Sequence, residues 1–292
     1  SRHAYSQGAW RGLSDDMCRA TAAALLGDAS KVKYVPLEPL NRFPAVESGE
    51  VDLLASNSTV TLGRDAGVDF VGIYYYDGQG FMVPRKLGKR VMRDLDGAKV
   101  CVQPGTTTEA NAVDYFRLNK MTFTPLLLDK IDDLRTAFFA GRCDVLTADV
   151  SNLYATRAAY APNPSDYTIL PRTITKEPLG LAVRHGDSQF GDIVRWSHYA
   201  MIEAEEYGIT SWNVDEALKN ENPTLKRILG ATPGMGKALG VDERWAYNIV
   251  KQVGNYGEVY DRNRGPNTVL KIPRGINAPW RDGGMLYAPP IR

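Results

Sequence analysis

Two side chains of opposite charge stand out for the chemistry they could do together. Arg64 closes the polar run Asn57-Ser-Thr-Val-Thr-Leu-Gly-Arg64, and Asp149 closes Cys143-Asp-Val-Leu-Thr-Ala-Asp149, 85 positions later. A guanidinium presents a planar fork that meets both oxygens of a carboxylate, which a lysine cannot match. An ionised carboxylate accepts hydrogen bonds and suits an ammonium group. The pair therefore fits the head group of a free amino acid, and Asn57 and Thr59, on the same run as Arg64, could add hydrogen bonds. Taken singly, each has a plainer reading: Arg64 in a surface salt bridge, Asp149 as the cap of a helix beginning near Ser151.

The run Gly105-Thr-Thr-Thr-Glu109 is a second candidate. Thr106 as N-cap and Glu109 at the third helical position form a capping box directly after a strand-like segment. That is a sound helix start, but it also aims backbone N–H groups outward at the positive end of a helix, where a carboxylate binds. Thr107 and Thr108 could add hydroxyls. Tyr75, within Tyr74-Tyr-Tyr76, is the ring expected to face a ligand, although such a group more often packs a core. Other chemistry finds little support. His3, His185 and His198 have no metal-ligand spacing, and Cys-x-x-Cys, His-Glu-x-x-His, Walker-loop and Gly-x-Ser-x-Gly patterns are missing from the sequence. No catalytic residue, metal or cofactor is expected. Gly234-Met-Gly236-Lys237 resembles a fragment of a phosphate loop but lacks its first glycine and the hydroxyl residue after the lysine.

The elements that must position these residues alternate. A helix is expected from an N-cap at Ser14 to Leu26, stopped at Gly27, followed by a strand at Val32 to Val35, a short helix at Asn41 to Gly49 and a strand at Val51 to Ala55. The middle third repeats the scheme: strand Lys99 to Gln103, helix from Thr106 to about Leu118, strand Leu126 to Leu128, helix Ile131 to Ala140, strand Cys143 to Thr147, helix Ser151 to about Ala159. Two α/β lobes follow, each with its ligand edge at the carboxyl ends of its strands. The extended segments Gly80 to Val83 and Pro178 to Val183 are expected to be crossings between lobes, forming a two-strand hinge. The expected division is 1–82 with 184–292 as the first lobe and 83–183 as the second. A long helix from Ser188 to Gly208 and further helical segments from Val214 to Leu229 should pack on the first lobe. The tail from Gly254, rich in Gly, Pro, Asn and Arg, reads as irregular.

Composition sets bounds on all of this. A chain of 292 residues, 43% hydrophobic and 24% charged, is long enough for two domain-sized cores. With 35 basic residues against 34 acidic ones there is no field to hold a polyanion, so nucleic acid is not an expected partner. No run approaches the roughly 20 apolar residues of a membrane-spanning helix, and residues 1–30 lack the order of a signal peptide. The start at Ser1, without a leading strand, creates the expectation that further residues precede it. Of the 3 cysteines, all could be buried thiols in a reducing compartment. Alternatively Cys101 and Cys143, in neighbouring strand-like segments, could form a bridge suited to an oxidising one, leaving Cys18 free or paired upstream.

Several runs together resemble a known family. They are Val51-Asp-Leu-Leu through Arg64, Asp69-Phe-Val-Gly-Ile-Tyr-Tyr-Tyr-Asp-Gly-Gln-Gly-Phe81, Cys101-Val-Gln-Pro-Gly-Thr-Thr-Thr-Glu109, Lys176-Glu-Pro-Leu-Gly180, Lys251-Gln-Val-Gly-Asn-Tyr-Gly-Glu258 and the ending Gly284-Met-Leu-Tyr-Ala-Pro-Pro-Ile-Arg292. They look like the periplasmic general L-amino-acid-binding proteins of ABC importers, and the similarity covers nearly the whole chain. It implies a bilobed, type II periplasmic-binding-protein-like α/β fold: two doubly wound sheets joined by a two-strand hinge. It further implies a periplasmic location, a precursor carrying a signal peptide, a free amino acid as ligand, and a permease with its ATPase at the inner membrane as partners. A monomer is expected. By position, Arg64 would hold the ligand carboxylate with help from Thr59 and the backbone at Asn57. Thr107, beside Thr106, would add donors, Asp149 would receive the ammonium, and Gln103 would face the ligand side chain.

The chain also departs from that family. The usual opening strand ending Cys-Gly-Val is absent. Ser56-Asn-Ser-Thr-Val60-Thr stands where the subgroup tends to have Arg-Asn-Thr-Thr-Trp-Thr, removing a cation and a large ring. A weaker preference for acidic ligands and room for a bulkier one are the expected consequences. Two other functions use the same fold: a dehydratase-like periplasmic enzyme with a cleft acid as proton donor, and a sensory amino-acid receptor. An ammonium acceptor at Asp149 favours binding over dehydration.

Overall fold

The computed structural model describes residues 4–6 and 9–292. Ten strands are present among them: β1 (Ala4–Ser6), β2 (Ala9–Arg11), β3 (Leu53–Thr59), β4 (Val68–Asp77), β5 (Gln79–Pro84), β6 (Ala98–Val102), β7 (Phe123–Leu127), β8 (Val145–Asp149), β9 (Tyr167–Ile169) and β10 (Glu177–Arg184). β1 and β2 form an antiparallel hairpin, and the rest form sheets in the orders β3-β10-β4 and β7-β6-β8-β5-β9. The chain divides into two compact units. One comprises the segment through Val35, Val46–Tyr75 and Gly180–Arg292; the other comprises Pro36–Ala45 and Tyr76–Leu179.

The second unit is a mixed sheet buried on both faces. β6 runs parallel to β7 and β8, while β5 runs antiparallel to β8 and β9. Successive strand residues point to opposite faces. Phe81, Val83, Val100 and Val145 accordingly join Phe116 and Leu170 in one apolar cluster. Met82, Cys101 and Leu146, one residue out of phase, join Leu134, Phe138 and Leu153 in the other. Cys101 and Cys143 form a disulfide in that second cluster, closing a loop with a sequence separation of 42, as their placement on adjacent strand segments predicts. Cys18 is a free, partly buried thiol, which burial and the nearby Asp15 and Asp16 push up to about 12. Gly80 to Val83, expected as a crossing, lies in β5 inside this unit. One division between units falls instead at Tyr75/Tyr76 in β4; the other, at Leu179/Gly180 in β10, lies within the expected crossing Pro178 to Val183.

In the first unit the helix Leu13–Leu26 packs against the helices Ser188–Glu206 and Trp245–Gln252 and against β3. Gly180, in the middle strand of its sheet, has no room for a side chain: a Cβ there would come within 2.5 Å of Phe70 and 2.7 Å of Val60. Three expectations change. Ser14 is not the cap of the first helix, which starts one residue earlier behind Gly12; its buried hydroxyl instead meets the Tyr74 hydroxyl at 3.1 Å. Val32 to Val35 is no strand, since exposed Lys31 and Lys33 and the missing N–H of Pro36 disfavour sheet pairing. The tail is not wholly irregular, because Tyr256–Asn263 is helical, opened by a reciprocal capping box between Asn255 and Glu258. Beyond Arg264 only short 3-10 turns follow.

Candidate functional site

Arg64 sits in the single helical turn Leu62–Asp65, which Thr61 caps through its hydroxyl. Its half-buried guanidinium donates from Nη1 to the Thr59 carbonyl at 3.0 Å, tying the side chain to the end of β3. Asn57 and Thr59 belong to β3 itself, not to a loop, and being two apart they share one face of the strand. Tyr75 is buried in the same unit, with the Arg264 guanidinium 3.7 Å from its ring centroid and Tyr260 stacked at 6.4 Å. Its ring therefore packs core, the commoner role for such a cluster.

In the second unit the turn after β6 is built around Gly105, whose φ of +68° and contact with Leu40 exclude a side chain. Thr106 is the N-cap of the helix Thr107–Leu118, accepting from Glu109 N at 3.1 Å and donating to the Gln103 carbonyl at 2.8 Å. The Glu109 carboxylate returns to Gly105 N at 2.8 Å, one residue before the position a reciprocal box would use. Gln103 donates from Nε2 to the Asp129 carbonyl at 2.7 Å. Thr107 donates to Glu177 Oε2 at 3.2 Å.

Asp149 ends β8 and occupies the N-cap position of the helix Val150–Tyr160, yet its side chain makes no capping bond. The Ser151 N–H meets both carboxylate oxygens of Asp77 at 3.4 Å, so Asp77 serves the helix end. Since β6 and β8 are parallel neighbours, Asp149 and the Gln103–Thr107 turn lie at the same carboxyl edge of the sheet, where α/β proteins bind ligands. The structure thus gathers Arg64, Asn57 and Thr59 on the first unit and Gln103, Thr106, Thr107 and Asp149 on the second.

Three polar residues beneath that edge were not singled out as site residues, although Gln79 and Glu177 lie within runs that carry the family resemblance. Gln79 is fully buried in β5 and donates from Nε2 to the Thr108 carbonyl and to Thr147 Oγ1, each at 2.9 Å. Glu177 and Asn111 bond at 2.8 Å. The available signal was a polar side chain interrupting an apolar run, as Gln79 does before Gly-Phe-Met-Val83.

Elsewhere the other candidates resolve. His185 pairs with Asp69 at the surface at 2.9 Å. His198 is buried against the Ile73 carbonyl at 3.1 Å, and burial lowers its pKa to about 4. His3 lies outside the described residues. Among the described residues, no cluster of His, Cys, Asp or Glu could hold a metal ion, and no helix is long and apolar enough to cross a membrane. The Gly234–Lys237 turn does cradle an anion with backbone N–H groups, but the anion is the chain's own Glu243, which receives Gly234, Gly236 and Lys237 at 2.9 to 3.1 Å. These bonds hold the Glu243 carboxyl below its ordinary range.

The family model described as bacterial extracellular solute-binding proteins, family 3, matches residues 3–229. The glutamate/glutamine/aspartate/asparagine-binding protein BztA of Rhodobacter capsulatus is 50% identical over 290 residues, covering 98% of this chain and 86% of that protein. The general L-amino acid-binding periplasmic protein AapJ of Rhizobium johnstonii is 48% identical over 291 residues, covering 98% and 85%. A solved structure described as an ABC transporter / periplasmic binding protein from Brucella ovis with glutathione bound superposes with a TM-score of 0.96 at 50% identity, covering 98% of this chain and 91% of that one. The architecture is the α/β fold of those periplasmic binding proteins.

Proposed function

The chain belongs to family 3 of the bacterial extracellular solute-binding proteins, and from that premise we propose that it captures a free L-amino acid, or a small peptide with an amino-acid head group, for an ABC importer. It does so in the periplasm, handing the ligand to a permease and its ATPase. It is a binder and not an enzyme; the relatives at about half identity are named for binding. Arg64 takes the ligand carboxylate, assisted by Thr59 and Asn57, and Asp149 takes the ammonium. Backbone N–H groups at Thr106 and Thr107 add donors, and Gln103 meets the ligand side chain. Tyr75 supports the first unit from within.

The observation that carries this reading is Asp149. It ends β8 at the carboxyl edge of the sheet, level with the Gln103–Thr107 turn, at the head of a helix whose end Asp77 serves. The Brucella protein binds glutathione, whose γ-glutamyl end retains an α-carboxylate and α-ammonium, and Val60 in place of a large ring suits a ligand longer than a free amino acid.

A thermal-shift series with the 20 amino acids and glutathione, each at ~100 times its dissociation constant, should raise the melting temperature for at least one ligand by about 5 °C, since mass action contributes about 2.7 kcal/mol. Asp149→Asn should weaken that ligand at least about 100-fold, because it leaves a buried ammonium without its counter-charge. An Asp149→Asn protein that responds like the parent removes the ammonium assignment.

A further inference from the structure

The recognition scheme leaves one buried carboxylate of the second unit unused. Glu177 opens β10 and is 1% exposed. Its Oε1 accepts from Asn111 Nδ2 at 2.8 Å and Thr175 Oγ1 at 2.7 Å, and its Oε2 accepts from Thr107 Oγ1 at 3.2 Å. Thr107 and Asn111 are four apart on one helix and so present neighbouring side chains, which lets a single carboxylate bind both. Thr175 precedes the strand by two residues and closes the group from the other side.

A carboxylate accepts and cannot donate, while a threonine hydroxyl has one hydrogen and two lone pairs. The Thr107 hydrogen is directed at Glu177. Toward anything else, Oγ1 presents lone pairs. The neighbouring Thr106 hydrogen goes to the Gln103 carbonyl. Neither of these two hydroxyls offers a hydrogen to an anion, so what they add to the backbone N–H donors of the turn is lone pairs.

We propose that Glu177 is a specificity-determining positioning residue: by taking the Thr107 hydrogen it makes that hydroxyl an acceptor, so that the hydroxyl, beside backbone N–H groups that still meet an anion, favours a ligand hydrogen-bond donor, such as an ammonium, amide or guanidinium, over a second carboxylate. This rests on the assignment of the same turn to amino-acid binding. Glu177→Gln reverses the polarity at constant shape. The glutamine oxygen keeps Asn111 and Thr175, and its NH2 donates to Thr107 Oγ1, freeing the threonine hydrogen for a ligand anion.

The experiment is calorimetric titration of the parent, Glu177→Gln, Thr107→Val and the double variant with two ligand pairs that differ by one carboxylate, glutamate against glutamine and alanine against alaninamide. Glu177→Gln should shift at least one pair about tenfold toward its carboxylate member, the effect of one hydrogen bond to a charged group. That shift should vanish in the Thr107→Val background. A ratio unchanged by Glu177→Gln in a parent that binds these ligands overturns the assignment to Glu177 alone. So does a shift that persists in Thr107→Val, which would be a through-space charge effect. A parent that binds none of the four overturns the amino-acid reading and this inference with it.

Discussion

His198 and Glu203 lie on the same helix and respond to pH in opposite directions. Burial holds His198 neutral, its pKa lowered from 6.5 to about 4, with the Ile73 carbonyl opposing the shift. Between those two values the unfolded chain binds a proton that the folded chain refuses, so this contribution to stability is present above pH 6.5 and lost on acidification. Glu203 is raised to about 7, first by burial and then by Glu206, against the opposing Ile291 N–H, Arg281 and Arg292. Here the folded chain holds the extra proton, and the contribution present in acid is lost as pH rises through 7. Glu203→Gln should therefore match the parent in unfolding free energy, read from urea titration, near pH 5 and exceed it at pH 8 by about 1 kcal/mol. An equal difference at both pH values would mean that Glu203 does not titrate in this range.

At the scale of elements, the disulfide links β6 to the segment leading into β8, two neighbours of the sheet whose edge carries Gln103, Thr106, Thr107 and Asp149. Closing a loop of 42 residues restricts the unfolded chain, and its reduction should cost roughly 2–4 kcal/mol. Denaturant unfolding with and without a thiol reductant measures this. If stability is unchanged, the cluster around Leu134, Phe138 and Leu146 alone orders the sheet. The Gly234–Lys237 turn shows how an element can mislead at short range. Its glycines do make a nest of N–H groups, and a glutamate seven residues beyond Gly236 fills it.

Across the whole molecule, the family model ends at residue 229, yet the residues beyond it are part of the first unit's core. Trp245, Ile249, Val250, Tyr256 and Tyr260 are buried there. Tyr256 donates to the Tyr74 carbonyl at 2.7 Å, and Arg274 forms a two-pronged bridge to Glu205. At about 1.5–3 kcal/mol for each large apolar side chain, five such residues rival the 5–15 kcal/mol by which a typical protein is stable. A chain ending at Leu229 should therefore fail to give a cooperative thermal transition. If it melts like the full chain, the segment is an appendage.

Much of this protein was determined by its sequence alone. Short-range chemistry placed the helix behind Thr106 and Glu109, the strands on either side of it, the C-cap at Gly27 and the charge types at Arg64 and Asp149, because capping, periodicity and turn geometry depend on residues a few positions apart. The same range held the Asn255 and Glu258 signal of the helix Tyr256–Asn263, which the glycine- and proline-rich composition around it masked. Val32 to Val35 failed as a strand because apolar alternation proposes a strand and only a neighbouring strand makes one. Tertiary structure alone decided which carboxylate serves which helix, Asp77 instead of Asp149, and brought Glu177 from β10 to the Thr107 hydroxyl, 70 positions away in the chain. A hydrogen bond is satisfied by whatever acceptor folding delivers within about 3 Å, and no local pattern encodes a partner that arrives from another strand.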